Sequence, residues 1–337
     1  MHVYSAFQSV KNPELLLRGV QKFLNATYQP QFASYEEFQS TGNSRLLYYK
    51  AQSRRKSCLF LVPSLINGAE IFDLTQTQSF IRFLLERGVD VYLVNWGDLS
   101  AEFEGGLTEL LQRRLSLFWQ EANNHAERPV HVLGYCLGGT LCASLFSEIT
   151  THKPASLTFL ATPFDFDIAE APWQYVLSND NQVKTQIRLQ DALTQRMLHA
   201  HFAQLQPEYT VQKFQRFLEM QEDSDAEKCF IAVERWLNGG TDIPYRLSMD
   251  LIDTYFLKNN ALKALQKLPD IPVAFISSKN DQIVPEKSAA AITRVCRRVR
   301  HIQTDCGHVG MMAGRKAKDT VWLPFMEFIG VSAMQQI

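Results

Sequence analysis

Apolar residues along the chain alternate between short unbroken runs and longer stretches with apolar positions three or four apart. Cys58-Leu-Phe-Leu-Val62, Val89-Asp-Val-Tyr-Leu-Val-Asn-Trp96, Val130-His-Val-Leu133, Ala155-Ser-Leu-Thr-Phe-Leu-Ala161 and Ile271-Pro-Val-Ala-Phe-Ile-Ser277 are the runs. A strand covered on both faces needs that continuity, because neither side of it meets water. Phe80, Ile81, Leu84 and Leu85 predict a helix stopped at Gly88. Leu107, Leu110, Leu111, Leu115 and Phe118 predict a second helix, and Leu141, Leu145 and Ile149 a third. Arg45 to Lys50 and Arg300 to Thr304 read as further strands. The alternation implies an α/β fold with a mostly parallel, doubly wound sheet.

The pattern lapses twice. Before residue 45, Leu15 to Leu24 suits a short helix, whereas Tyr28 to Gln31 and Ser34 to Gly42 read as loop. From about 166 to 262 the chain is helical and rich in aromatics, with no parallel-strand run; Phe214, Phe217, Leu218, Trp236, Tyr255 and Phe256 stand out. The expected organisation is an N-terminal segment over 1–44, a core in two parts over 45–165 and 263–337, and a cap insertion over 166–262. An insertion at such a place covers an active site, and aromatics there suit an apolar acyl channel or the cap's own core.

Composition narrows the partners. Hydrophobic residues make up 46% of 337 and charged residues 20%, ample for a large core. A net charge of −1 gives no reason to expect nucleic acid. The start, Met1-His2-Val3-Tyr4-Ser5-Ala6, has no signal-peptide core, and no run is long enough to span a membrane. Six cysteines without a CxxC pair fit reduced thiols in a cytoplasmic protein and no metal site. The basic turn at Arg54-Arg55-Lys56 reads as a connection, and Arg294, Arg297, Arg298 and Arg300 read as a solvated helix face or as a phosphate contact.

Gly134-Tyr-Cys-Leu-Gly-Gly139 joins the Val130 run to the Leu141 helix. A strand, a tight glycine-flanked turn and a helix with a nucleophile at the turn is the nucleophile elbow of α/β-hydrolases, here with Cys136 in place of serine. Glycines suit a turn where backbone segments crowd together. The amide of Leu137 opens the helix and is a candidate oxyanion donor. The loop after the Cys58 strand supplies the second donor in this fold; Pro63 has no N–H, which leaves Ser64 or Leu65. Asp281 follows the Ile271 strand and His308 follows the last one, so nucleophile, acid and base occur in α/β-hydrolase order. Asp305 competes with Asp281, but it sits three residues from His308 on the same loop, and a triad acid normally approaches from a separate loop. His131 and His301 begin strands and read as structural.

These residues resemble the catalytic subunits of polyhydroxyalkanoate synthases, the short form above all. The resemblance is carried by Val62-Pro-Ser-Leu-Ile-Asn67, Asp90-Val-Tyr-Leu-Val-Asn-Trp96, Gly134-Tyr-Cys-Leu-Gly-Gly139, Thr162-Pro-Phe-Asp165, Glu234-Arg-Trp-Leu-Asn238, Asp281-Gln-Ile-Val-Pro285 and Gly307-His-Val-Gly310. It implies an α/β-hydrolase fold, a triad of Cys136, Asp281 and His308, and polymerisation of 3-hydroxyacyl-CoA into an intracellular polyester. It also implies a second synthase subunit, a homo- or hetero-oligomer and contact with a polymer granule surface. No cofactor is expected apart from coenzyme A as part of the substrate. The chain departs from the family at Gln282, where many relatives have histidine, and at Leu137, where short forms often have glutamine. The competing readings are an esterase, thioesterase or polyester depolymerase on the same fold, and a non-catalytic scaffold on polymer granules.

Overall fold

In a computed structural model, residues 13–52, 56–149, 151–205 and 207–331 are described. Arg54 and Arg55 of the expected basic turn lie outside them. An eight-stranded sheet in the order β1-β2-β4-β3-β5-β6-β9-β10 forms the centre. Its strands are β1 (Glu36–Thr41), β2 (Ser44–Tyr49), β3 (Ser57–Val62), β4 (Val89–Asn95), β5 (Val130–Tyr135), β6 (Ser156–Leu160), β9 (Val273–Ser278) and β10 (Val299–Thr304). From β4 to β10 every pairing is parallel, whereas β1 and β2 add to one edge antiparallel. Every residue of β3, β6 and β9 is buried, as the unbroken apolar runs require of strands with helices on both faces.

The strand β1 corrects one expectation. Ser34 to Gly42 reads as loop, yet Glu36–Thr41 pairs with β2 through a register shift between Glu37 and Gln39. Its sequence, Glu-Glu-Phe-Gln-Ser-Thr, is polar because an edge strand meets water on most of its surface. A bulge also breaks the two-residue alternation by which a strand is recognised.

The helices that flank the sheet are α2 (Phe80–Glu86), α3 (Ser116–His125) and α4 (Leu137–Phe146). The Leu107 helix reaches α3 through a π-helical turn, Leu110–Leu115. That turn carries buried Arg114, which donates to Ser44 Oγ at 2.8 Å and pairs with Glu102 at 2.9 Å, fixing the β1–β2 hairpin.

Between β6 and β9 the chain leaves the sheet. It forms α5 (Gln174–Ser178), α6 (Asp180–Gln190), α7 (Gln195–Leu205), α8 (Pro207–Leu218), α9 (Asp225–Asn238) and α10 (Tyr245–Leu251). Two short strands, β7 (Ala192–Leu193) and β8 (Ile243–Pro244), pair antiparallel within it. Val183, Ile187 and Ile252 give this segment a small core of its own. The N-terminal helix α1 (Pro13–Leu24) packs on α8 and α9 through Leu16, Phe214, Phe217 and Ile231. Lys22 pairs with Glu227 at 2.6 Å, and Arg235 donates to the carbonyls of Ala26 and Tyr28.

The segment departs and returns beside one side chain. Asn259 accepts from the Phe166 amide and donates to Asp165 and Asp167, each at 3.0 Å. Its φ of 49° is left-handed, a conformation asparagine tolerates better than most residues. Arg294 closes the same group with a 2.7 Å ion pair to Asp165, and that carboxyl is held below the usual range: burial raises it, but Asn259 and Arg294 outweigh burial. Arg297 and Arg298 lie elsewhere, at the amino end of β10. His308 follows that strand's carboxyl end, roughly 20 Å away at 3.3 Å per residue. Both arginines are exposed, and Arg300 faces Glu327 at 3.5 Å. Arg297, Arg298 and Arg300 therefore lie along a solvated edge of the sheet, whereas Arg294 is taken by Asp165.

Candidate active site

Strands β3, β5, β6, β9 and β10 all deliver their carboxyl ends to one side of the sheet, where ligands bind in open α/β folds. Cys136 sits there between β5 and α4 with φ 53° and ψ −127°. A non-glycine residue is strained in that region, and the surroundings over-determine it. The Cys136 amide donates to the Leu160 carbonyl at 2.9 Å, and the Gly139 amide donates to the Cys136 carbonyl at 3.0 Å.

The two outer glycines of the box are required by close approach. A Cβ on Gly134 would lie 2.4 Å from the Gly139 Cα. A Cβ on Gly138 would lie 2.4 Å from the carbonyl oxygens of both Val62 and Pro63. Only a bare backbone lets the start of α4 press against the end of β3. The amide of Leu137, first in the helix, has no partner within its own turn. It therefore emerges beside the loop Pro63–Gly68. In that loop the Ile66 amide is taken by Ser64 Oγ at 3.2 Å, whereas Ser64 and Leu65, both buried, follow Pro63 directly.

On the other side of Cys136 lies His308. Its Nδ1 donates to Asp281 Oδ2 at 2.8 Å, and its side chain is 9% exposed while that of Asp281 is 1%. The second oxygen of Asp281 accepts from the amides of Ile283 and Val284, both at 2.8 Å, so the carboxylate is fixed before it orients the imidazole. Burial alone would lower the pKa of His308. The charges of Asp281 and Cys136 and hydrogen bonds to both outweigh it and raise the imidazole to about 10. The Tyr135 ring stacks obliquely on His308 with centroids 5.3 Å apart, and its hydroxyl donates to the His308 carbonyl at 3.4 Å. Asp305 is exposed and contributes its carbonyl to Asn280 Nδ2 at 2.9 Å, so it stands outside this arrangement.

Sequence reasoning did not foresee what holds the loop after β3. Asn67 Nδ2 donates to the carbonyls of Trp236 at 3.0 Å and Gly239 at 3.4 Å, and Trp236 Nε1 donates to the Gly68 carbonyl at 2.7 Å. Trp96 Nε1 adds a bond to the Pro63 carbonyl at 3.2 Å. Three of the sequence stretches that carry the resemblance, around Asn67, Trp96 and Trp236, thus meet at one loop. Their distance in sequence conceals this, and only their shared amide- and indole-bearing residues hinted at it. Thr140 donates to the Pro163 carbonyl at 2.9 Å and ties a fourth stretch to the elbow helix.

A family model described as alpha/beta hydrolase fold matches residues 119–314. The chain belongs to the α/β-hydrolase family. Within it, the chain is similar to proteins named poly(3-hydroxyalkanoate) polymerase subunit PhaC. It is 24% identical to the one from Thiocystis violacea over 334 residues, 90% of each chain. It is also 24% identical to the one from Haloferax mediterranei over 302 residues, 82% of this chain and 60% of the relative. Among solved structures, a thermostable carboxyl esterase from Bacillus coagulans aligns with a TM-score of 0.58 at 13% identity, over 90% of this chain and 99% of that one. At that identity the likeness speaks for the fold alone. Among the described residues of this α/β-hydrolase, no helix is long and apolar enough to cross a membrane.

Proposed function

We propose that the chain is an acyltransferase that polymerises 3-hydroxyacyl-CoA into a polyhydroxyalkanoate through an acyl-cysteine intermediate on Cys136. The observation that carries this reading is one imidazole, His308, held by buried Asp281 on one side and meeting a strained elbow cysteine on the other. The names of the relatives supply the substrate class.

With the proton already held on His308, the Cys136 sulfur attacks the acyl-CoA thioester carbonyl. The amide of Leu137, with that of Ser64 or Leu65, faces the oxyanion that forms. Collapse breaks the bond to the sulfur of coenzyme A, which leaves with the proton from His308. Exchange of one thioester for another keeps the acyl group activated; a serine would store it as an oxygen ester, a poorer donor. Acylation also removes the Cys136 charge, one of the influences that raise the His308 pKa. The imidazole then holds a proton less tightly and is ready to accept one from the hydroxyl at a growing chain end. That hydroxyl attacks the acyl-cysteine, an ester forms, and Cys136 leaves with its proton restored. The segment between β6 and β9 acts as a cap that keeps water from the intermediate. Assembly with a second subunit and a cytoplasmic location at the polymer granule belong to the same proposal.

Purified protein incubated with 3-hydroxybutyryl-CoA, with and without a candidate second subunit, tests it. Release of coenzyme A with insoluble polyester and an acyl adduct on Cys136 is expected. Coenzyme A released with free 3-hydroxy acid and no polymer would make the chain a thioesterase.

A further inference from the structure

A cavity of about 360 Å³ runs from Cys136 under the cap to the surface. Its inner end is formed by Cys136, Leu137, Ile66 and Pro163, and its mouth by Tyr175 and Gln186, both exposed. Among the described residues, no aspartate, glutamate, lysine or arginine lines it. Inside the mouth, Ser248 and His201 are already engaged. Ser248 Oγ donates to the Ile243 carbonyl at 2.8 Å and accepts from the Leu193 amide at 3.3 Å, and His201 Nε2 donates to the Pro172 carbonyl at 2.9 Å.

We propose that this channel is an alkyl subsite, and that the preferred acyl groups are 3-hydroxyacyl chains of about six to twelve carbons and not the four of hydroxybutyrate. The inference rests on the acyl-transfer reading above. The channel begins at the sulfur that would carry the acyl group, so an acyl chain enters it by being attached. The pantetheine arm of coenzyme A is a poorer occupant, because its two amides would lose water and find Ser248 and His201 already bonded. Volume selects the length. A cavity of about 150 Å³ takes up benzene. One of 360 Å³ therefore takes roughly twice that many carbons. A methyl side chain would leave most of the channel unfilled. Each buried methylene contributes about 0.8 kcal/mol, which is roughly fourfold in binding.

The experiment compares (R)-3-hydroxybutyryl-CoA with (R)-3-hydroxyoctanoyl-CoA on the full chain. It reads coenzyme A release and the mass of the adduct on Cys136. The expected kcat/KM is at least about tenfold higher for the eight-carbon substrate. In Ala200→Phe, which places a ring in the lining, the ratio of eight- to four-carbon activity should fall at least about tenfold. Equal or better use of the four-carbon substrate by the natural chain would overturn the alkyl subsite and leave acyl transfer standing, since Cys136 would still be acylated. An Ala200→Phe ratio unchanged from the natural chain, in protein that melts normally, would likewise overturn it. Absence of any adduct from either substrate would overturn the acyl-transfer reading and the subsite together.

Discussion

Asp281 and His308, 27 residues apart in sequence, meet through a 2.8 Å hydrogen bond in which the imidazole Nδ1 donates to a carboxylate that is 1% exposed. The opposite oxygen of that carboxylate is held by two backbone amides. Asp281→Asn should keep the fold and reduce kcat by about 10⁴-fold, because an amide favours the wrong imidazole tautomer and removes the charge facing it. Asp305→Asn should change kcat less than about threefold, since its side chain takes no part in the pair. Steady-state kinetics of both variants decides, and the reverse ranking would move the acid to Asp305.

Cys136→Ala should abolish both coenzyme A release and the covalent adduct, with little change in melting temperature, because the thiol contributes only a small buried volume. Intact-protein mass after exposure to substrate is the direct measurement. Activity within tenfold of the natural chain would remove Cys136 from the mechanism.

Gly138→Ala would force a methyl to 2.4 Å from two carbonyl oxygens of backbone. Backbone cannot swing aside as a side chain can, so the start of α4 and the loop after β3 must separate. The expected cost is about 1–3 kcal/mol in urea unfolding. A larger loss of kcat is expected alongside, as the two oxyanion amides part. Full activity in this variant would show that the loop is not held by this contact.

Trp236→Phe should remove the indole bond to the Gly68 carbonyl while keeping an aromatic ring in place. The loop that carries Ser64 and Leu65 then loosens. A roughly tenfold lower kcat is expected, less than the 10²–10³ lost when an oxyanion donor is deleted outright. KM should move little, because Trp236 acts through the loop and not on the substrate. A change in KM with kcat intact would give Trp236 a binding role instead.

The raised pKa of His308 fixes the sign of a pH effect. The folded state holds this proton up to about pH 10, whereas an unfolded histidine releases it near its ordinary value of 6.5. Between those values the folded state binds more protons, so the stability from this group is full below about 6.5 and is lost as pH rises towards 10. The melting temperature of the natural chain should therefore exceed that of His308→Gln by most near pH 6.5 and by progressively less towards pH 10. A gap that widened with pH would mean that the imidazole is held neutral in the folded protein.

The strands of the parallel sheet were legible because burial on both faces leaves no room for polar positions: Cys58 to Val62 and Val273 to Ser278 could be little else. The chain order of Cys136, Asp281 and His308 was legible for a related reason, since Cys136 and Asp281 each follow the carboxyl end of such a strand and His308 follows the last strand, β10. The strand Glu36–Thr41 was not, because an edge exposed to water and broken by a bulge carries neither apolar continuity nor strict alternation. The choice of Asp281 over Asp305 was readable from the separate loop that carries Asp281, although which carboxylate is buried was not. The clamp of Asn67 and Trp236 joins residues 169 apart and leaves no local signature. The channel under the inserted segment stood in the sequence only as one of two readings, because aromatic and aliphatic residues at helical spacing look the same whether they fill a core or surround a void.

Asn259 gathers both ends of the inserted segment onto one side chain, 93 positions along the chain from Phe166. The sheet therefore registers the insert as though it were a turn of a few residues, whatever its length. Because loop-closure entropy grows only logarithmically, a longer or shorter insert changes the folding balance by little. The insert is in that sense a cassette. An engineer could vary its length between Asp165 and Asn259 on those terms, provided that Trp236 and its bond to the Gly68 carbonyl stay in place.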